Sequence, residues 1–304
     1  MRPPGSASAC VELSDAALPM EASTPSLALL ATNQIWRYWG LETFLSDAVA
    51  EGVHDVDLWL CNQHVNIDAH GVYNLSEVKS MVRRNDVAVR TLTPEQGNPK
   101  AYNVASCDGT IQRLTSAYYH QVIHLAGELG AERISVNAGW FPYDVEPGHA
   151  WDCLISTLGE VCSMARAEGI EVCLETLVRK PYRLVCSLSD LLRALDEVSA
   201  SNLKATLDTG TIARNEESLP EYLEQLGSRI GYVHLTNLSP SVFAHLAWGD
   251  PLGVLDARAI LGQLAQGGYE GCCALEMTHA PYFATPREVL TRALTTLEGC
   301  ERRC

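Results

Sequence analysis

Basic side chains are scarce in this 304-residue chain: 22 Lys and Arg stand against 37 Asp and Glu, a net charge of −15. So acidic a surface does not suit a phosphate backbone, which excludes nucleic acid as a first choice of partner. No uncharged apolar run approaches the roughly 18–20 residues that span a bilayer, so no membrane role is expected. No G-x-G-x-x-G follows the first strand-like run, which weakens a dinucleotide-binding reading. C-x-x-C is also missing, although the chain has 11 cysteines. They are scattered from Cys10 to Cys304, and several sit in apolar runs, such as Cys173 in EVCLETL and Cys272 and Cys273 in GCCALEM. There a cysteine behaves as a small hydrophobe, so reduced thiols and a cytoplasmic location are expected rather than a disulfide scaffold. Residues 1–25 lack the apolar stretch of a secretory signal and read as a flexible leader rich in Pro, Ser and Ala.

What is present is alternation. With 47% hydrophobic residues, the span 26–304 can bury one large core and reads as a single domain. Strand-like runs fall at 26–32, 53–60, 87–93, 132–138, 170–176, 203–209, 230–236 and 272–278. Helix-like stretches separate them, at 41–52, 74–85, one ending at 130, then 154–169, 189–198, 219–227, 256–268 and 286–299. Periods of 2 and 3.6 thus switch eight times, and Gly or Asn often closes the helices. Strands alternating with helices imply parallel pairing through crossovers, and eight such units match a (β/α)₈ TIM barrel of about 250 residues. A doubly wound open sheet is the alternative. Thr285-Pro286-Arg287-Glu288 has the form of a capping box with Pro at N1, which fixes the start of the last helix.

The last four strand candidates each carry a metal-binding side chain near the C-terminal end: Glu175, Asp208, His234 and Glu276. Side chains alternate along a strand, so their faces can be assigned. Leu174, Leu207, Val233 and Leu275 fall on the helix-facing side, which leaves the four polar groups pointing into the barrel. Three carboxylates crowded in a barrel mouth would cost several kcal/mol per uncompensated ion, and a divalent cation removes that conflict. Three oxygen donors and one imidazole suit Mn²⁺ first, with Mg²⁺, Co²⁺ and Zn²⁺ as alternatives, and do not suit a thiolate-type structural zinc. Each residue also has a plainer explanation. Asp208 in LDTG can cap a helix, His234 can be a hydrogen-bonded core residue, and Glu175 can pair with Arg179. Shared parity at the catalytic end of four barrel strands favours the metal site.

These motifs, LETL (174–177), LDTG (207–210), YVHLTN (232–237) and LEMT (275–278), resemble those of the xylose isomerase-like TIM barrels. That superfamily includes ketose 3-epimerases, hydroxypyruvate isomerase, inosose dehydratase and endonuclease IV. The resemblance implies one divalent metal held by Glu175, Asp208, His234 and Glu276, with Glu175 and Glu276 also the acid/base pair. It implies a carbohydrate isomerase or epimerase that abstracts a proton beside a sugar carbonyl, or a lyase that uses the same abstraction to expel a group. Endonuclease IV is disfavoured: it needs three zinc ions with many additional His ligands and a basic groove, whereas few of the nine histidines here lie at strand ends and the chain is strongly acidic. A non-catalytic sugar-binding barrel is disfavoured by the complete ligand set.

HLAWGDPLGVLD (245–256) resembles the H-L-A-W-G-D-G loop of proteins grouped broadly as sugar phosphate isomerases/epimerases, close to the large subunit of C-glycoside deglycosidases. Pro251 replaces the final Gly of that loop. His245, Trp248, Asp250 and Trp140 are expected to line a carbohydrate site, with Phe141, Tyr143 and Tyr282 adding aromatic surface. His64, His70 and His149 are further loop histidines of unassigned role. Where ketose 3-epimerases grip the sugar with a His and an Arg, this chain has Thr211 and Pro240, which points to a modified or glycosidic sugar. Arg287 is a lone candidate for a phosphate. A homo-oligomer or a small partner subunit is compatible with the resemblance.

Overall fold

The computed structural model describes residues 27–95 and 101–301. The expected leader, 1–25, and residues 96–100 after the third strand-like run lie outside them. In chain order the first half comprises β1 (Ala28–Thr32), α1 (Leu41–Ala50), β2 (Asp55–Leu60), a hairpin of β3 (Ile67–Asp68) and β4 (Gly71–Val72), and α2 (Leu75–Arg84). It continues through β5 (Ala88–Pro94), α3 (Gly109–Leu129), β6 (Arg133–Asn137) and α4 (Pro147–Ala167). The second half begins with β7 (Glu171–Glu175), α5 (Leu188–Val198), β8 (Leu203–Asp208), α6 (Thr209–Arg214), α7 (Leu219–Leu226) and β9 (Ile230–His234). It ends with the hairpin β10 (Asn237–Ser239) and β11 (Val242–Leu246), then α8 (Ala257–Gln266), β12 (Cys272–Leu275) and α9 (Pro286–Glu301).

Eight strands close into a barrel in the order β1-β12-β9-β8-β7-β6-β5-β2, and the pairings between them are parallel. All eight are the runs expected from sequence, so the chain is a (β/α)₈ barrel and not an open sheet. The two faces of the strands separate as alternation requires. Val172, Leu174, Leu203, Ala205, Leu207, Val233 and Leu275 pack with the helix ring in one large core. Leu30, Cys173, Tyr232 and Ala274 form a small second core inside the barrel. Gly231 permits this filling, because a Cβ there would stand 2.9 Å from Cys173 Sγ and 2.7 Å from Lys204 Cβ.

Helix ends follow the capping rules. The Asp108 carboxylate accepts from Thr110 and Ile111 N–H at the start of α3, and Glu146 accepts from Gly148 N–H at the start of α4. α4 therefore begins well before the sequence estimate of 154, because Pro147-Gly148 is a Pro-at-N1 start rather than a turn. α9 begins at Pro286 as expected.

The reading of the cysteines is corrected at one pair. Cys107, just before α3, is bonded to Cys153 in α4, with Cα atoms 5.7 Å apart. Among the described residues, Cys61, Cys162, Cys173, Cys186, Cys272 and Cys273 are not disulfide-bonded. The spacing along the chain carries no trace of the pair, since Cys107 and Cys153 lie 46 residues apart on successive β/α units.

Candidate metal and sugar site

Four adjacent barrel strands deliver the polar cluster. Going round the barrel, β7, β8, β9 and β12 end in Glu175, Asp208, His234 and, one residue past the strand, Glu276. Register aligns them directly: Asp208 lies opposite His234, and Ala274 lies opposite His234 on the other side. One ligand atom from each of the four falls within 4.8 Å of every other. The two glutamates approach His234 Nδ1 together, Glu175 Oε1 at 2.8 Å and Glu276 Oε2 at 3.3 Å.

The LDTG and YVHLTN motifs lock two of these ends together. Thr209 Oγ1 donates to Thr236 O at 2.7 Å and accepts from Thr236 N–H at 2.9 Å. Thr236 Oγ1 in turn donates to Asp208 Oδ1 at 2.6 Å, and Gly210 N–H donates to Thr236 Oγ1 at 2.8 Å. A Cβ on Gly210 would sit 2.5 Å from that hydroxyl, so the motif requires glycine here. Asp208 Oδ1 also caps α6 by accepting from Thr211 N–H. The capping explanation of Asp208 is thus true of one oxygen only: Oδ2 is buried with no hydrogen-bond partner. Arg179, the alternative partner for Glu175, turns away to Glu217 and to Asn215 O.

Two residues not singled out from the sequence, Asp57 and Gln34, complete the surroundings. Asp57, on β2 and only 2% exposed, accepts from Thr93 Oγ1 at 2.8 Å and from Tyr232 OH at 2.9 Å. His234 Nε2 stands 3.7 Å from Asp57 Oδ2 and has no hydrogen bond. Gln34 Nε2 donates to Glu276 Oε1 at 2.5 Å. Their signal was available: in DVDLWL, Asp57 occupies the face opposite Val56, Leu58 and Leu60, the same alternation that exposed the other four.

The electrostatics are those of carboxylates short of counter-charge. Burial raises the Glu175 carboxyl above its ordinary value, and Glu276 and Asp208 push it the same way against His234. For Glu276, burial is outweighed by His245 and His234, which hold it well below the usual range. Burial likewise opposes protonation of His234 and His245, yet the surrounding carboxylates win, and His245 is pushed up to about 10. The orphaned Asp208 Oδ2, the O,O,O,N donor set and the Asp57 carboxylate behind His234 fit a divalent metal.

The loop residues divide sharply. His245, on β11, reaches the cluster, with Nδ1 2.9 Å from Glu276 Oε2 and Nε2 3.6 Å from Asp208 Oδ2. Trp248 does not face a ligand: it is 2% exposed and its Nε1 donates to Leu235 O. Asp250 is likewise occupied, accepting from Tyr282 OH and from Leu252 N–H. Both are loop and core elements, which corrects the expectation that they line the mouth, and Tyr282 goes with them. Trp140 is anchored by its backbone N–H and C=O to the Asn103 side chain, while its own Nε1 is buried without a partner. Phe141 and the exposed Tyr143 both carry the Arg183 guanidinium over their rings. Arg287 pairs with Glu51 between outer helices and is no phosphate ligand of the mouth.

His64 is buried, with Nδ1 bonded to Asn33 Nδ2 and Nε2 to Trp39 O, a satisfied core histidine. His70 lies in the β3–β4 turn, and His149 beside the Cys107–Cys153 pair. Neither contributes to the cluster.

The sequence profile of the xylose isomerase-like TIM barrels matches residues 45–299. The chain belongs to this family. Among family relatives, the fructoselysine 3-epimerase of Escherichia coli O157:H7 is 24% identical over 254 residues, 84% of this chain and 91% of that protein. The structure of a D-psicose 3-epimerase from Clostridium cellulolyticum H10 superposes with a TM-score of 0.69 at 17% identity, over 90% of this chain and 99% of the other. A 3-keto-D-glucoside 4-epimerase of E. coli gives 0.69 at 18%, over 89% and 100%. Among the described residues of this xylose isomerase-like barrel, no helix is long and apolar enough to cross a membrane.

Proposed function

We propose that this protein is a metal-dependent carbohydrate epimerase, with Glu175 and Glu276 as the proton-transferring pair and Asp208 and His234 as the other two metal ligands. The observation that carries the reading is the arrangement on four adjacent strands, with the glutamates at the two ends and Asp208 and His234 between them. A bound divalent ion would polarise the substrate carbonyl and stabilise the negative charge that develops beside it. Manganese fits the donor set best.

Within that frame each protein group has a task. Glu175 and Glu276 reach the site from opposite ends of the arc, so one can remove a proton from the carbon beside the carbonyl while the other returns one on the opposite face. Thr236 holds Asp208 with one oxygen turned into the site, and Asp57 stands behind the His234 ring. His245, bridging toward Glu276 and Asp208, is placed to donate a hydrogen bond to a substrate oxygen. A homo-oligomer is compatible with this function.

The deciding experiment is solvent deuterium exchange into ketoses and 3-oxo-glycosides, which detects abstraction even when turnover is slow. Incorporation with conserved substrate mass is the expected result, whereas release of a fragment would make the protein a lyase on the same scaffold. Metal content supplies an independent check. At a hundredfold excess over Kd, Mn²⁺ should stabilise the native protein by about 2.7 kcal/mol, and Asp208→Ala should abolish that gain. Protein that stays metal-free in excess Mn²⁺, Co²⁺ and Zn²⁺ refutes the ligand assignment.

A further inference from the structure

A cavity of about 200 Å³ opens beside Glu175 and His245. Its wall is mostly aliphatic and aromatic, with the hydroxyl-bearing Tyr182, Thr211 and Thr278 interspersed. Among the described residues lining it, Arg214 is the one guanidinium or ammonium group. Arg214 closes α6, six residues after Asp208, and its Nη2 donates to Ser239 O at 3.2 Å and Val242 O at 3.1 Å across the β10–β11 hairpin. The guanidinium also rests 5.2 Å from the centre of the Phe243 ring.

Those contacts use one nitrogen. Nε and Nη1 have no acceptor among the described residues, and no described carboxylate lies within ion-pair distance, in a chain with 15 more acids than bases (37 against 22). A cation left without a counter-ion in the wall of a reaction cavity is a recognition element, since a neutral sugar hydroxyl would use little of its charge. His245 on the same wall is already engaged by Glu276 and Asp208, which leaves Arg214 as the cation without a carboxylate partner, and one free guanidinium matches a monoanion better than a phosphate dianion. The apolar stretch between Glu175 and Arg214 suits a linking arm rather than a bare polyol.

Building on the epimerase reading, we infer that the substrate is a ketose conjugate or acid whose non-reacting arm ends in a carboxylate held by Arg214. The apolar wall and the absence of further grips at Thr211 and Pro240 then have a common reason. Binding energy comes from the charged arm, and the sugar needs fewer side-chain contacts of its own.

The test compares each acid with its neutral counterpart: 1-deoxy-fructose carrying glycine or glycinamide at carbon 1, and fructuronate against fructose. Kd by calorimetry and deuterium-exchange rate are both measured on metal-loaded wild type and Arg214→Met. At least one acid should exceed its counterpart by roughly 10- to 100-fold, the range of a charge-assisted hydrogen bond, and that ratio should collapse in the variant. Because the ratio is the readout, any general damage to the β10–β11 hairpin cancels. Equal behaviour of acid and neutral forms in wild type overturns the inference, as does a ratio that survives in Arg214→Met. An Arg214-dependent preference for fructose 6-phosphate over both carboxylates also overturns it, in favour of a phosphate. If no compound exchanges but the Arg214-dependent binding ratio persists, the epimerase reading fails and the carboxylate site stands.

Discussion

Asp57→Asn isolates the support behind the metal cluster while leaving the four ligands in place. The wild-type carboxylate accepts from Tyr232 OH at 2.9 Å and from Thr93 Oγ1 at 2.8 Å, and it stands 3.7 Å from His234 Nε2. If a metal were held at Nδ1, the ring proton would sit on Nε2, the nitrogen that faces Asp57. Asparagine keeps the volume and one oxygen but turns an N–H₂ toward groups that need an acceptor. Loss of such an outer partner costs about 10- to 100-fold in metal affinity, which is about 1.4–2.7 kcal/mol. Metal-free stability should respond differently, because two hydroxyls lose a charged acceptor while one negative charge leaves a crowded acidic cluster. These contributions oppose each other, so the metal-free protein should change by about 1 kcal/mol or less. Chelator competition with Mn²⁺ or Co²⁺ gives the affinity, and urea unfolding of the metal-free protein gives the stability. Native affinity in Asp57→Asn would show that Asp57 only satisfies Tyr232 and Thr93. A large stability loss without an affinity change would lead to the same conclusion.

Three further outcomes follow from the geometry. Glu175→Gln and Glu276→Gln should each slow solvent exchange by about 10²–10⁴-fold while the metal-loaded protein remains folded, and near-native rates would demote that glutamate to a ligand. Trp248→Ala should lower the unfolding free energy by about 3–5 kcal/mol, since a buried ring and its bond to Leu235 O are both lost; a merely weakened KM with unchanged stability would restore Trp248 as a sugar-stacking residue. Cys153→Ser should cost about 4 kcal/mol in chemical denaturation if the chain-entropy account of a 46-residue separation holds, and no change under oxidising conditions would show the bond is not formed in solution.

The barrel was legible because its signal is repeated. Each of the eight strands coincides with its expected run, β5 alone passing the end by one residue, since parallel strands buried on both faces read as short apolar blocks between helical periods. What escaped notice was short or non-local. α6 spans six residues and is capped by the very aspartate that ends β8, so no change of period announces it. The β10–β11 hairpin turns at Ser239–Val242 around Pro240, mostly between the YVHLTN motif and the 245–256 loop, where strands this short show no alternation long enough to read. The Cys107–Cys153 bond joins two units whose contact only the closed fold creates.

The site divides along the same line. Glu175, Asp208, His234 and Glu276 could be found because strand alternation converts position into direction, and a strand end needs no further information. Trp248 could not be judged that way. It follows a hairpin strand and precedes a positive-φ glycine, Gly249, where the chain turns. There the indole meets Leu235 O instead of solvent. Aromatic character alone did not distinguish a ring that stacks on a sugar from one that seals the core. Arg214 shows the converse. At the close of a helix too short to read from sequence, nothing marks it out from other arginines. Its meaning comes from what it lacks in the folded protein, a carboxylate partner at the wall of the reaction cavity. Charges that complete a substrate rather than the protein are therefore found by counting unmet partners in three dimensions, and no pattern along the chain reports them.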